Sequence, residues 1–396
     1  MIQISPETQL FIREHSSDDV RTLALQAKKY PDINMPTAIT QIAGRQVAAE
    51  KIPSWWEIEK IWYPKHLSLE QCSSEITARY KARLFQGDSL TDLTGGFGID
   101  CSFLATGFKS ATYVERQEEL CEIAAHNFPV LNLNHINVRN EDGVAYLQTM
   151  SPVDCIFLDP ARRNEHGGKT VAISDCEPNV AELEALLLSK ANRVMIKLSP
   201  MLDLSLALKE LKHTQEIHIL SVNNECKELL ILLRQTSPAE IAIHCVNLLT
   251  KGTQEEQHLV FTREQEQRSQ CTYTDSLGNY LYEPNASLLK AGAFRSIAAA
   301  YPVRKLHPNS HLYISDSFIE NFPGRIFRIV NQCSFNKKEV KENLADLKKA
   351  NVTVRNFPAT VAELRKRLHL TEGGDTYLFA STLNNGQKVI IRCEKV

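Results

Sequence analysis

The sequence predicts an α/β protein. A doubly wound, seven-stranded sheet fills residues 87–240, preceded by a helical N-terminal region (1–86). A connecting β/loop region (241–323) and a small α+β domain (324–396) follow. Three observations predict this. Strands and helices alternate from Ser89 onward, the pattern of a parallel sheet covered on both faces. A glycine-rich turn, Thr91-Asp92-Leu93-Thr94-Gly95-Gly96-Phe97-Gly98, joins the first strand to the first helix of that run. From Gly324 the order becomes strand, helix, strand, helix, strand, strand, and the last two are joined by Asn385-Gly386, a strong hairpin pair.

Residues 5 to about 86 carry apolar positions at helical spacing, such as Leu10 and Phe11, then Val20, Leu23 and Leu25. Trp55 and Trp56 read as a core knot. A helix entered at Ser73 or Ser74 carries Arg79, Lys81 and Arg83 up to the first strand, either as a lid over the turn or as a plain cap on the sheet. Strands are then expected at 89–93, 110–115, 135–139, 153–158, 193–198, 216–222 and 229–234. The last two leave no room for a crossover helix, so they must pair as an antiparallel hairpin. Two further strands are expected at 241–248 and 258–262.

Composition bounds the function. The chain has 396 residues, 43% hydrophobic and 23% charged, with a net charge of -2. No window is long and apolar enough to span a membrane. The N-terminus lacks the basic and apolar regions of a secretory leader. The 10 cysteines include no C-x-x-C pair, which argues against a disulfide framework and a structural metal and for a reducing, cytoplasmic setting. Charge is uneven: residues 324–396 hold 14 basic and 7 acidic side chains. Such a basic domain can bind a nucleic-acid backbone, and a solvated helical face reads equally well.

The candidate chemistry gathers at strand ends. The glycine turn lacks Gly-Lys-Ser/Thr, so it is no P-loop, and its spacing does not fit G-x-G-x-x-G. Glu115 ends the second strand, where a carboxylate can accept from a ribose diol. Asp142 follows the third strand and can meet an adenine amino group, or simply cap the next helix. The fourth strand runs into Asp159-Pro160-Ala161-Arg162-Arg163, placing a carboxylate and a rigid carbonyl over the same edge. Asn223 and Asn224 end the sixth strand as candidate substrate contacts. Cys226 beside them can act as a nucleophile, although a small half-buried residue is the stronger reading. Asp175 and Glu177 lack a third ligand for a metal.

These motifs resemble the class I S-adenosylmethionine-dependent methyltransferases, whose seven strands include a hairpin-inserted last one. The resemblance implies S-adenosyl-L-methionine held by Asp92, Thr94, Gly95, Gly96, Gly98, Glu115 and Asp142. It makes Asp159, Pro160 and Arg162 the acceptor site, with Arg163, Asn223 and Asn224 near the substrate. Asp159-Pro160-Ala161-Arg162 is similar to the Asp-Pro-Pro-Tyr/Arg motif of nucleic-acid methylating enzymes, with Ala161 replacing a proline and Arg162 the stacking aromatic. Gln71-Cys72-Ser73-Ser74-Glu75 and Gly373-Gly374-Asp375-Thr376-Tyr377-Leu378-Phe379 extend the likeness to a bacterial group with a THUMP-like C-terminal domain. That group implies RNA as partner, captured by Arg325, Arg328, Lys337, Lys338, Arg365, Lys366 and Arg367. The competing expectations are a methyltransferase acting on a small molecule or protein, and a non-catalytic binder of the cofactor or RNA.

Overall fold

A computed structural model describes residues 4–162, 172–236, 238–251 and 256–396. The chain divides into two compact units. The first is Met1–Gln215 with Leu230–Ser237, and the second is Glu216–Leu229 with Pro238–Val396.

The first unit opens with the expected helices, including Pro6–Glu14, Met35–Lys51 and Glu75–Leu84. Phe11, Leu23, Met35, Ala38 and Ile42 form their shared core. Only half of the tryptophan pair joins a core: Trp55 is buried, while Trp56 lies 42% exposed. The Trp55 ring meets Phe97 of the glycine turn edge-on at 5.2 Å, so the helical region packs directly against that turn.

The strands then follow in the expected order: β1 (Gly87–Asp92), β2 (Phe108–Glu115), β3 (Ile136–Asn140) and β4 (Val153–Leu158). A two-residue pair, β5 (Ala161–Arg162) and β6 (Cys176–Glu177), comes next, then β7 (Ala191–Leu198), β8 (Thr214–Val222) and β9 (Glu225–Leu233). In the first unit the order is β9-β7-β4-β1-β2-β3. The pairs β7/β4, β4/β1, β1/β2 and β2/β3 are all parallel. Central β4 and β7 bury nearly continuous apolar runs (Cys155 to Leu158; Val194 to Ile196), as strands covered on both faces must. Strand order reverses between β1 and β4. Their C-terminal ends therefore open a crevice at the switch point, the place where doubly wound sheets bind ligands.

In the second unit the order β11-β10-β8-β9 uses β10 (Ala242–Leu248) and β11 (Glu256–Thr262). The expected final hairpin is present, but it does not end the sheet. Strand β10 lies parallel to β8, and β11 closes antiparallel on β10. A bare β8 edge would leave a row of unpaired backbone groups, and these strands satisfy them.

The rest of this unit is built on β12 (Tyr280–Pro284), β13 (Arg304–Lys305), β14 (Tyr313–Ser315), β15 (Gly324–Ser334), β16 (Asn351–Arg355), β17 (Thr376–Thr382) and β18 (Lys388–Lys395). They form one sheet in the order β13-β14-β12-β15-β18-β17-β16. Strands β12 to β14 thus extend the tail sheet through the β12/β15 pair. Leu281, Ile314, Phe327, Phe379 and Ile391 fill one core against it. Leu344, Leu364, Leu378 and Ile390 fill another.

Candidate cofactor and acceptor site

Asp92 ends β1, where its Oδ1 accepts from Thr94 N at 3.0 Å and folds the chain into the turn. Gly96 and Gly98 take φ of +54° and +87°, in the left-handed region that glycine enters at no steric cost. Gly95 is required for another reason, because a Cβ there would sit 2.2 Å from the Tyr113 ring. The Tyr113 hydroxyl donates to Gly96 O. Gly98 starts the helix Ile99–Ala105.

Glu115, at the end of β2, reaches the same turn. Its Oε2 accepts from Gly96 N at 2.9 Å and its Oε1 from Gln117 N at 2.8 Å. Each carboxylate oxygen has two lone pairs, so both retain capacity for a diol. Thr94 ties the turn to β4, its Oγ1 accepting from Asp159 N at 2.6 Å. Asp92, Thr94, Gly95, Gly96, Gly98, Glu115 and Asp159 are therefore joined at one sheet edge. Asp142 caps its helix: Oδ1 accepts from Val144 N and Ala145 N, both at 3.0 Å.

Sequence reasoning missed the site's electrostatic foundation. Asp100, in the first turn of the helix after Gly98, is held by two lysines. Lys81 Nζ lies 2.9 Å from its Oδ1 and Lys197 Nζ 3.1 Å from its Oδ2. Ser73 Oγ donates to Asp100 Oδ2 at 2.7 Å and accepts from both ammoniums at 2.9 and 3.0 Å. Lys197 also reaches Asp159 Oδ2 at 2.5 Å. The Lys81 side chain is wholly buried, and that of Asp159 is 36% exposed. A signal was present: Lys197 is the one charge inside the apolar run Val194–Leu198, and Lys81 occupies an inward helix position beside Ala78 and Tyr80.

Burial and charge set the three carboxyls apart. Burial pushes Asp92 well above the usual carboxylate range, against the Thr94 hydrogen bond. Burial also acts on Asp100, but Lys197 and Lys81 together outweigh it and hold that carboxyl low. Asp159 is raised by burial, which Lys197 only partly offsets. Asp92 Oδ2 is buried without a hydrogen-bond partner, an orphan suited to a cationic amino group. This acceptor, the open side of Gly96 and the spare lone pairs of Glu115 fit the amino-acid and ribose parts of S-adenosylmethionine.

The other candidates fall as follows. Pro160 is buried beside Asp159, and Arg162 lies in β5, paired with Cys176 of β6. Arg163 lies outside the described residues. Asp175 accepts from Ala172 N at 3.1 Å, and Glu177 pairs with Arg116 at 3.4 Å. Asn223 and Asn224 take φ of 48° and 70° in the β8–β9 turn. Their amides are committed there. Asn223 Nδ2 donates to Thr250 Oγ1 at 2.8 Å, and Asn224 Oδ1 accepts from Ala286 N at 2.8 Å. Burial pushes the Cys226 thiol up to about 11, a poor setting for a nucleophile. Arg325 is also committed: with Arg355 at 3.0 Å it neutralises Glu283, whose side chain is 2% exposed. Arg365 pairs with Glu372 at 3.1 Å. Arg367 lies over the Phe335 ring at 4.1 Å, and it and Lys366 are exposed.

An open parallel sheet with a glycine turn and carboxylates at its switch point defines the doubly wound proteins that bind nucleotide-like cofactors. Comparison narrows this further. Residues 280–323 match a ferredoxin-like domain and residues 324–395 a THUMP-like domain. No curated protein matches the chain. A crystal structure of a candidate methyltransferase from Porphyromonas gingivalis W83 matches 100% of this chain and 100% of its own, at 34% identity and a TM-score of 0.87. An rRNA methylase from Streptococcus thermophilus covers only 40% of the chain, at 14% identity and a TM-score of 0.30, too distant to carry an argument. The chain belongs to the family of the Porphyromonas protein: class I S-adenosylmethionine-dependent methyltransferases with a THUMP-like C-terminal domain.

Proposed function

We propose that this protein transfers a methyl group from S-adenosylmethionine to an RNA base. The observation that carries the reading is the hydrogen-bonded assembly of Asp92, Thr94, Gly96, Glu115 and Asp159 at the switch point. The cofactor supplies an electrophilic methyl on a sulfonium. The chain's part is to bind, orient and keep water away, since positioning provides much of the acceleration in a direct displacement. Asp92 takes the cofactor's amino group, Glu115 its ribose, and Asp142, through the oxygen its cap leaves unused, its adenine. Asp159, with Pro160 and Arg162, receives the acceptor, and the carboxylate takes an exocyclic N–H and steers its nitrogen.

Glu115→Ala is expected to weaken S-adenosylmethionine binding in calorimetry by about 10- to 100-fold, the worth of charge-assisted hydrogen bonds to a diol. Glu115→Gln keeps one acceptor oxygen and should fall between. Equal affinity in all three proteins would remove Glu115 from the cofactor site.

For RNA, the exposed Lys366 and Arg367 are the residues to reverse. Arg325 would be a poor choice, because its loss strips the buried Glu283 of a partner. Lys366→Glu with Arg367→Glu is expected to weaken binding of unmodified RNA across sequences. It should also lower the slope of log affinity against log salt by about 2. An unchanged slope would take RNA capture away from this helix and favour a small-molecule or protein acceptor.

A further inference from the structure

A second cluster of chemically capable side chains lies in the second unit, on residues to which the methyl-transfer reading gives no role. Glu216 and His218 are alternate residues of β8 and so share one face of it. His244 of β10 is directly paired with His218, and His258 of β11 pairs with Val246, two residues along from His244. All four side chains therefore emerge on the same side of three adjacent strands. His218 Nε2 lies 3.4 Å from Glu216 Oε2, and His244 Nε2 lies 3.9 Å from that same oxygen. One ligand atom from each of Glu216, His218 and His244 falls within 4.8 Å of the others. His258 Nε2 approaches His244 Nδ1 at 3.3 Å.

We propose that Glu216, His218 and His244 bind a divalent first-row transition-metal ion, with His258 as the outer partner that orients His244. The ligand chemistry selects the ion. Two imidazoles and one carboxylate suit zinc, nickel, cobalt or copper rather than the oxygen-loving magnesium or calcium. The three ligand atoms, within 4.8 Å of one another, must draw together on the ion: ligand bonds of about 2.0–2.2 Å place tetrahedral ligand atoms roughly 3.4 Å apart. The Glu216–His218 separation already has that value, and the Glu216–His244 separation needs a contraction of about half an ångström. The His218 and His244 rings now stack at 4.3 Å, 13° from parallel. Both must tilt toward the common ion, a rotation within the broad well of a histidine χ2.

The outer partner fixes the chemistry of His244. For Nε2 to bind a metal, Nδ1 must carry the proton, and His258 Nε2 is placed to accept it. Such a partner orients the ring and raises the basicity of the ligand nitrogen. Three protein ligands leave a position for water, and the buried His218 anchors the site to the sheet. The ion would clip β8 to β10 and so stabilise the chain whenever it is bound.

The test uses the full-length chain, stripped of metal with a chelator and titrated with Zn2+ and separately with Co2+. One equivalent should bind per chain with micromolar or tighter affinity. The Co2+ complex should show ligand-field bands without thiolate charge-transfer absorption, which separates this site from the ten cysteines. Glu216→Gln and His244→Gln are both on partly exposed side chains and should still fold. Each is expected to weaken binding at least tenfold, and His258→Ala less than either. Absence of a one-equivalent site, thiolate bands, or affinity indifferent to both substitutions would overturn the proposal.

Discussion

Asp100→Ala is expected to destabilise the first unit by about 3–5 kcal/mol, the cost of leaving a buried charge without its partner. Asp100 is the common counter-ion of Lys81 and Lys197, and the Lys81 side chain has no exposure. Without it, Lys197 keeps Asp159 and Lys81 keeps the Ser73 hydroxyl, a neutral group in place of its counter-ion. For a unit of this size the loss corresponds to roughly 6–20 °C in melting temperature. All three tryptophans (Trp55, Trp56 and Trp62) lie in the first unit, so their fluorescence follows its unfolding and not that of the second. The control is the cycle formed with Lys81→Met. Removing both charges should restore more than half of the loss, a coupling that independent sites would not show. Strict additivity would mean that the pair carries no mutual stabilisation.

The same carboxylate gives an acid dependence of known sign. Its folded pKa lies below the unfolded value, so its contribution is complete above the unfolded pKa and lost as pH falls through the folded one. The stability gap between wild type and Asp100→Asn should be constant from pH 8 down to about pH 5 and close below that. A gap that opened on acidification would contradict the assignment.

Much of the candidate site was legible because its signals are local. Asp92 to Gly98 is one continuous turn, and each of its glycines answers a constraint set within a few residues or by the next strand. Glu115 could be found because strand and helix lengths are regular, which fixes where the second strand ends. The ion network was hidden for the opposite reason. Ser73 meets residues 8, 27 and 124 positions away, and Lys197 meets Asp100 across 97. No periodicity encodes such pairings. The lysine at the C-terminal end of a buried strand was a visible anomaly, since an unpaired charge there is prohibitive and demands a partner. Arg325 shows the limit of counting charges. It reads as a basic surface residue, yet Glu283, 42 positions earlier, places it against a buried carboxylate in the adjacent strand. The continuation of the sheet into β10 and β11 escaped because two strand-like runs do not reveal which edge they join.

Asp159→Ala is expected to reduce methyl transfer by about 10²–10⁴-fold while leaving cofactor affinity within a few-fold of wild type. The fold should tolerate the change. Asp159 is partly exposed, and its loss still leaves Lys197 paired with Asp100. The link from Asp159 N to Thr94 Oγ1 runs through the backbone and survives any side-chain substitution at this position. Asp159→Asn then distinguishes two roles. An acceptor oxygen that steers an amine is kept in asparagine, so a positioning role predicts an intermediate loss; proton removal needs the carboxylate and predicts a loss like that of alanine. The pH profile supplies an independent reading. Burial raises the Asp159 carboxyl, so the charged form, and with it turnover, should decline as pH falls through that raised value. The asparagine variant should lose this acid limb. Turnover preserved in Asp159→Ala would remove the residue from the acceptor site. Cofactor affinity falling in step with turnover would move it to the cofactor side of the crevice.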